Sequence, residues 1–230
     1  MVTDVRLEDP RWESCDLDGL CERAAIAVCA WAGLDPDLVE ITVLGCDDAR
    51  IAVLNAEFRE KPQPTNVLSW PEEDLSSDTP GAVPEAPETN FEGVYALGDI
   101  AIAWETCEAE ARAANKPVQD HATHLIVHAV LHLLGYDHIC NEDANLMETA
   151  EVAAQSAQAR SLTGPITRKT PAEAVRSQAI ATYPMSSTTQ LSLSSAPSPS
   201  RVGLWQRLLD KMRKDEPARL HTNGTHVTEA

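Results

Sequence analysis

The stretch around which this chain is read is His128-Ala129-Val130-Leu131-His132-Leu133-Leu134-Gly135-Tyr136-Asp137-His138. His128 and His132 are four positions apart, so a helix sets their rings on one face, one turn from each other. Gly135 can take the left-handed backbone that ends a helix, and the turn it allows brings His138 back toward the same point. Three imidazoles on one divalent cation leave a fourth position for water, which is the arrangement of a catalytic zinc site and not of a closed structural one. A single histidine on an apolar helix is ordinarily a satisfied core or surface residue. Here that reading must account for three at once, at the metal-binding spacing of the long zinc-protease motif. That motif carries Glu directly after its first histidine as general base. Ala129 stands there instead, so peptide hydrolysis by that route lacks its proton acceptor. His121 and His124 precede the cluster on the same helix. His124 lies on the face of His128, one turn earlier, and reads as a residue behind the ligands or in contact with substrate, since three ligands are already supplied.

Composition bounds the partners. The chain has 230 residues and a formal net charge of −18, unevenly spread. Residues 1–155 hold 8 Lys and Arg against 31 Asp and Glu, whereas residues 156–230 hold 10 against 5. An acidic body with a basic tail is the reverse of a general polyanion binder. The six cysteines, Cys15, Cys21, Cys29, Cys46, Cys107 and Cys140, form no CxxC pair, so no cysteine zinc framework is visible. Cys140 follows His138 closely enough to be weighed as a ligand, but a small side chain near a helix start is the reading that takes precedence. Met1 to Ser14 carries charges of both signs without an apolar run, which does not read as a secretory signal. No stretch approaches the ~18 apolar residues of a membrane span. The expectation is a cytoplasmic protein with reduced thiols.

Working outward, Leu17, Leu20, Ala24, Ala25, Val28 and Trp31 recur at helical spacing, and Leu38 to Gly45 alternates as a strand. Asp47 or Asp48 can cap a helix running to about Lys61, stopped by Pro62 and Pro64. Val67 to Trp70 reads as a short strand. Residues 72–93 are acidic and proline-punctuated and predict a mobile loop. Val94 to Trp104 is the next strand, interrupted at Gly98-Asp99, and helices are expected over about 105–114, 118–134 and 142–158. The fold class that follows is α+β, a small mixed β-sheet packed against several helices and carrying a three-histidine zinc site. Residues 1–160 make the domain. Residues 161–230 read as a basic, low-complexity, disordered C-terminal tail, Ser186 to Ser200 being rich in Ser, Thr and Pro; Gly203 to Lys214 has the pattern of a short amphipathic helix, weighed against a weakly structured tail.

Three blocks now resemble one family. The histidine stretch is similar to the signature H-G-x-L-H-L-x-G-Y-D-H of the endoribonuclease YbeY family, bacterial rRNA maturation factors, with Ala129 in place of Gly. Leu54-Asn55-Ala56-Glu57-Phe58-Arg59 leads through Pro64-Thr65-Asn66-Val67-Leu68-Ser69-Trp70-Pro71, where the family usually has Phe at Trp70, and Leu97-Gly98-Asp99-Ile100-Ala101-Ile102 is the third. The resemblance covers about residues 35–155. It implies one zinc ion on His128, His132 and His138, single-strand-specific endoribonuclease activity in the cytoplasm, 16S rRNA 3′-end maturation and ribosome quality control. It implies rRNA and the small ribosomal subunit as partners, not DNA or a membrane. The family's functional arginine falls on Arg59, and a guanidinium suits charge developing on a phosphate; Arg59 and His128 are the expected catalytic residues. Thr65, Asn66 and Ser69 are candidates for contacts to substrate or to His138, and Asp99 for a carboxylate behind a ligand histidine. The acidic segment 72–93 is long for the family, and the tail lies outside its compact domain, where it offers the positive charge that the body lacks.

Two other readings stand beside the nuclease. One is a metallohydrolase of another substrate, against which the missing glutamate at position 129 argues for peptides. The other is a zinc-stabilised ribosome-associated factor without essential catalysis, its acidic surface meeting a basic ribosomal protein or a GTPase.

Overall fold

Val39, Ile41 and Val43 alternate with Glu40 and Thr42, a period of two that buries one face of a strand. That strand is the spine of the molecule. The computed structural model describes residues 2–161, and their regular elements run β1 (Thr3–Leu7), α1 (Leu17–Ala32), β2 (Val39–Cys46), α2 (Asp48–Arg59), β3 (Val67–Pro71), β4 (Tyr95–Ala103), α3 (Trp104–Ala113), α4 (Val118–Leu133) and α5 (Asn141–Ser161), with 3₁₀ turns at Pro10–Cys15 and Pro36–Leu38. The sheet order is β1-β2-β4-β3. β1 and β4 flank β2 in parallel, and β3 pairs antiparallel to β4. The sheet is therefore mixed, as the α+β expectation requires. The expectations of a disordered tail over residues 161–230 and of a short amphipathic helix over Gly203 to Lys214 fall, beyond Ser161, outside the described residues.

The two faces of the sheet carry different layers. Val39, Ile41, Val43, Ile100 and Ile102 join the buried face of α1 and most of α4 in one core, to which Met147, Ala150 and Ala154 of α5 add. Strand alternation puts Leu44, Cys46, Ala101 and Ala103 on the other face, where Ile51 and Leu54 of α2 are buried and α2 packs on β4. The starts of α2 and α3 lie side by side beyond the ends of β2 and β4, and each uses the other's carboxylate. Glu105 Oε2 accepts from the Asp48 N–H at 2.9 Å, while Asp48 Oδ1 accepts from the Thr106 N–H at 3.1 Å and from its hydroxyl at 2.9 Å. Two helix N-termini are thus satisfied with negative charge at their positive dipole ends.

Three features depart from the expectation. β1 was not anticipated, and the segment after it is a 3₁₀ turn started by the Asp9 side chain, with Trp12 buried and its Nε1 donating to the Cys46 carbonyl at 3.0 Å. β4 is continuous, not interrupted: Leu97 is the extra residue of a bulge against β2, and Gly98 takes φ 128° there. A side chain at Gly98 would run into the Trp70 carbonyl, which is why glycine stands at this point. Finally, the acidic segment 72–93 has no regular structure but is tied down. Leu75 is buried, the Glu85 N–H donates to the Leu75 carbonyl at 2.9 Å, and the Gly81 N–H donates to Asp143 Oδ1 at 2.7 Å.

Candidate metal centre

α4 is buried on nearly every side, packing against α1, α3, α5, β3 and β4. One stripe stays open to polar chemistry, and it consists of histidines. His121, His124, His128 and His132 fall within one face at 3.6 residues per turn. The helix ends at Leu133 with Leu134 as its cap, and Gly135 at φ 84° reverses the chain so that Tyr136 is buried and His138 returns to the cluster. The Asp137 carboxylate shapes this turn by accepting the His138 N–H at 2.7 Å.

His128, His132 and His138 bring one ring nitrogen each within 4.8 Å of the other two. The Nε2 atoms of His128 and His132 lie 3.1 Å apart. Two nitrogens at ~2.05 Å from a tetrahedral ion would be about 3.3 Å apart, so the donor set fits a small divalent cation such as zinc. His128 and His132 are half-buried and His138 is exposed, so the cluster opens to solvent on the His138 side. Burial, and next the neighbouring His128 and His138, push the His132 pKa down to about 4 against an opposing pull from Asp137, which leaves its ring unprotonated and able to ligate at neutral pH.

Behind the histidine cluster stands a residue that sequence reading did not find. Glu151 of α5 sits 2.7 Å from His128 Nδ1, and this hydrogen bond holds its carboxyl below the usual glutamate range. An ionised carboxylate only accepts, so Nδ1 carries the proton and the lone pair of Nε2 faces the cluster. The available signal was an acid on the apolar side of a helix, among Met147, Ala150 and Ala154. Farther along the stripe, Gln155 Nε2 lies 3.0 Å from His124 Nδ1, and Glu110 holds His121 Nε2 at 2.7 Å.

The other candidates are distributed differently. Asp99 pairs in register with Thr42 and Trp70 while its neighbour Ile100 faces α4, so Asp99 belongs to the opposite face of the sheet and does not orient a ligand histidine. Its side chain bonds Thr42 there, and burial raises its pKa to about 6. Asn66 is used structurally: its Oδ1 accepts the Val67 N–H at 2.7 Å and its Nδ2 donates to Glu110 at 3.0 Å. Thr65 reaches only Asn66 Oδ1, at 3.4 Å. Ser69 pairs with Ile100, which places it on the α4 side of the sheet. Cys140 is outside the cluster; its thiol donates to Asp143 Oδ2 at 2.9 Å at the start of α5, as the helix-start reading has it. Ala129 is buried in the core. Arg59 is the exposed last residue of α2.

In this α+β domain three convergent imidazoles beside an open face could hold a metal ion and leave a coordination position free. Residues 9–157 match the family Endoribonuclease YbeY. The chain belongs to that family. It is 64% identical over 151 residues to Endoribonuclease YbeY of Ruegeria pomeroyi, covering 66% of this chain and 90% of that one. Against the protein of the same name from Paracoccus denitrificans it is 60% identical over 148 residues, 64% of this chain and 81% of that one. A solution structure of a Thermotoga maritima protein aligns with a TM-score of 0.41 at 24% identity, over 70% of this chain and 93% of that chain.

Proposed function

We propose that this protein is a single-strand-specific, zinc-dependent endoribonuclease of the cytoplasm that acts in 16S rRNA 3′-end maturation and ribosome quality control. The observation that carries the reading is the convergence of His128, His132 and His138 within 4.8 Å, in a chain of the endoribonuclease YbeY family. One zinc ion held by these three side chains would supply a Lewis acid for the scissile phosphate and a coordinated water of lowered pKa. His128, fixed by Glu151, and Arg59 are the catalytic residues. The Arg59 guanidinium offers planar, paired donors to phosphate oxygens and stabilises the negative charge that builds there. Attack by water and attack by the adjacent 2′-hydroxyl load the same oxygens, so the role of Arg59 is common to both routes. The substrate is rRNA within the small ribosomal subunit. The acidic body meets a basic ribosomal protein or a GTPase there, and the basic tail, residues 161–230, attracts the RNA. No helix among the described residues is long and apolar enough to cross a membrane.

Metal analysis of the purified chain, coupled to cleavage of single-stranded RNA, tests the reading. Wild type should retain about one equivalent of metal, and His132→Ala should lose both metal and cleavage. Arg59→Ala should keep the metal while cleavage falls roughly 10²- to 10³-fold, as for removal of one oxyanion donor. Full cleavage by His132→Ala would remove the metal mechanism, and full cleavage by Arg59→Ala would remove the assignment of the arginine.

A further inference from the structure

α5 presents two side chains one turn apart, Glu151 and Gln155, to two imidazoles one turn apart on α4, His128 and His124. Both contacts are made at Nδ1, at 2.7 Å for Glu151 on His128 and 3.0 Å for Gln155 on His124. Their polarity is opposite. The carboxylate accepts, so His128 keeps its proton on Nδ1 and its lone pair on Nε2, the atom that meets His132 Nε2 at 3.1 Å. The carboxamide nitrogen of Gln155 can only donate, so His124 Nδ1 accepts and the single proton of a neutral ring sits on Nε2. One helix therefore makes one imidazole a metal ligand and its neighbour a hydrogen-bond donor.

The donor stands at the surface beside the cluster. His124 is exposed, and its ring centroid is 6.5 Å from that of His128, next along the same stripe. Burial of part of the ring depresses its pKa below the ordinary histidine value, against the pull of Glu151. The elements packed around it offer a strand of RNA little positive charge, because residues 1–155 hold 8 Lys and Arg against 31 Asp and Glu. A neutral N–H supplies a directional bond to an anionic oxygen without needing a cation to balance the acidic surroundings.

We propose that His124 contacts a non-bridging phosphate oxygen of the RNA strand bound at the metal centre, as a neutral Nε2–H donor, and that Gln155 is the positioning residue that keeps it in this tautomer. The inference rests on the endoribonuclease reading above and adds a phosphate contact to it. Three measurements on the full chain test it: imidazole ¹⁵N shifts, metal content, and kcat and KM for a single-stranded RNA oligonucleotide. Wild type should show His124 protonated at Nε2, and Gln155→Leu should mix the two tautomers without loss of metal. His124→Ala should keep about one equivalent of metal while kcat/KM falls roughly 10- to 100-fold, the range for a hydrogen bond to a charged group. His124→Gln, which restores a donor near the place of Nε2, should recover most of that loss. Wild-type kcat/KM in His124→Ala, loss of metal from His124→Ala, or a wild-type His124 protonated at Nδ1 would each overturn the proposal. A wild type that holds no metal and cleaves no RNA overturns the parent reading, and the two failures are told apart by that control.

Discussion

The hydrogen bond between His128 Nδ1 and Glu151 decides which nitrogen of that ring is free for a cation, and a neutral amide at the same position decides it less firmly. In Glu151→Gln the side chain can donate as well as accept, so the imidazole loses its enforced tautomer and part of its basicity. Metal affinity, measured by competition with a chromophoric chelator, should fall by about 10- to 100-fold, the usual cost of removing such a partner. An unchanged affinity would mean that the carboxylate is only a packing contact. His132 gives a second handle. Its folded pKa, near 4, is depressed below the unfolded histidine value, so between those two values the unfolded chain binds the extra proton more readily. Stability of the metal-free protein is then intact above the unfolded pKa and is lost as pH falls through the interval toward 4. Melting curves of metal-free protein should show Tm falling by roughly 5 °C between pH 7 and pH 4.5, and His132→Asn should remove much of that slope. The convergence of the three histidines was legible in the sequence because their geometry is local, one helical turn and one glycine reversal. Glu151 was not, and Asp99 was taken in its place, because both answers depend on non-local facts. Strand parity puts Asp99 on the far face of the sheet, and the packing of α5 on α4 brings up an acid 23 positions away.

Gly135 shows how an element outside the cluster can govern a ligand. Its φ of 84° is one that a residue with Cβ takes at a cost, and a Cβ there would sit 2.6 Å from the Leu75 backbone carbon and 2.8 Å from the Leu75 Cβ. The acidic segment is thus seated directly on the turn that delivers His138, and it is fastened again at Gly81 to Asp143, which also accepts the Cys140 thiol. Gly135→Ala must therefore displace Leu75 as well as strain the turn. It should destabilise the protein by about 1–3 kcal/mol, as expected for a non-glycine residue in a sparsely populated region, and should weaken metal binding through His138 while leaving helix content by circular dichroism nearly unchanged. Wild-type Tm and affinity in this variant would show that the segment yields freely. Composition pointed to a loop and was right about the absence of helix and strand, but one buried Leu75 among the acids holds it in place, and a single apolar residue is a weak signal in a window scored by charge and proline. β1 escaped for a related reason. A five-residue edge strand with Asp4 and Arg6 facing outward has no strong period of its own, and it exists because Ile41 to Gly45 offer it a parallel partner. By contrast α1, β2, α2, β3 and α4 were each readable within a residue or two, since caps, prolines and apolar spacing bound them locally.

Charge is the property that sets this chain against its proposed substrate. A net charge of −18 repels RNA, yet the ten Lys and Arg of residues 156–230 outnumber five acids and reverse the sign at one end. If those cations neutralise phosphates, binding must weaken linearly in log–log form as salt rises, with a slope of about 0.7 for each contact on a single strand. A chain ending at Ser161 keeps all of α5 and the cluster, so its metal content and its cleavage of a short oligonucleotide at low salt should match the full chain. Its co-sedimentation with small ribosomal subunits should fall at moderate salt, and the slope should shrink by the number of contacts removed. Equal binding and an equal slope for the two chains would show that the tail meets no RNA, and that the acidic body reaches the ribosome through a basic protein surface, the attraction then coming from the 31 acids of residues 1–155.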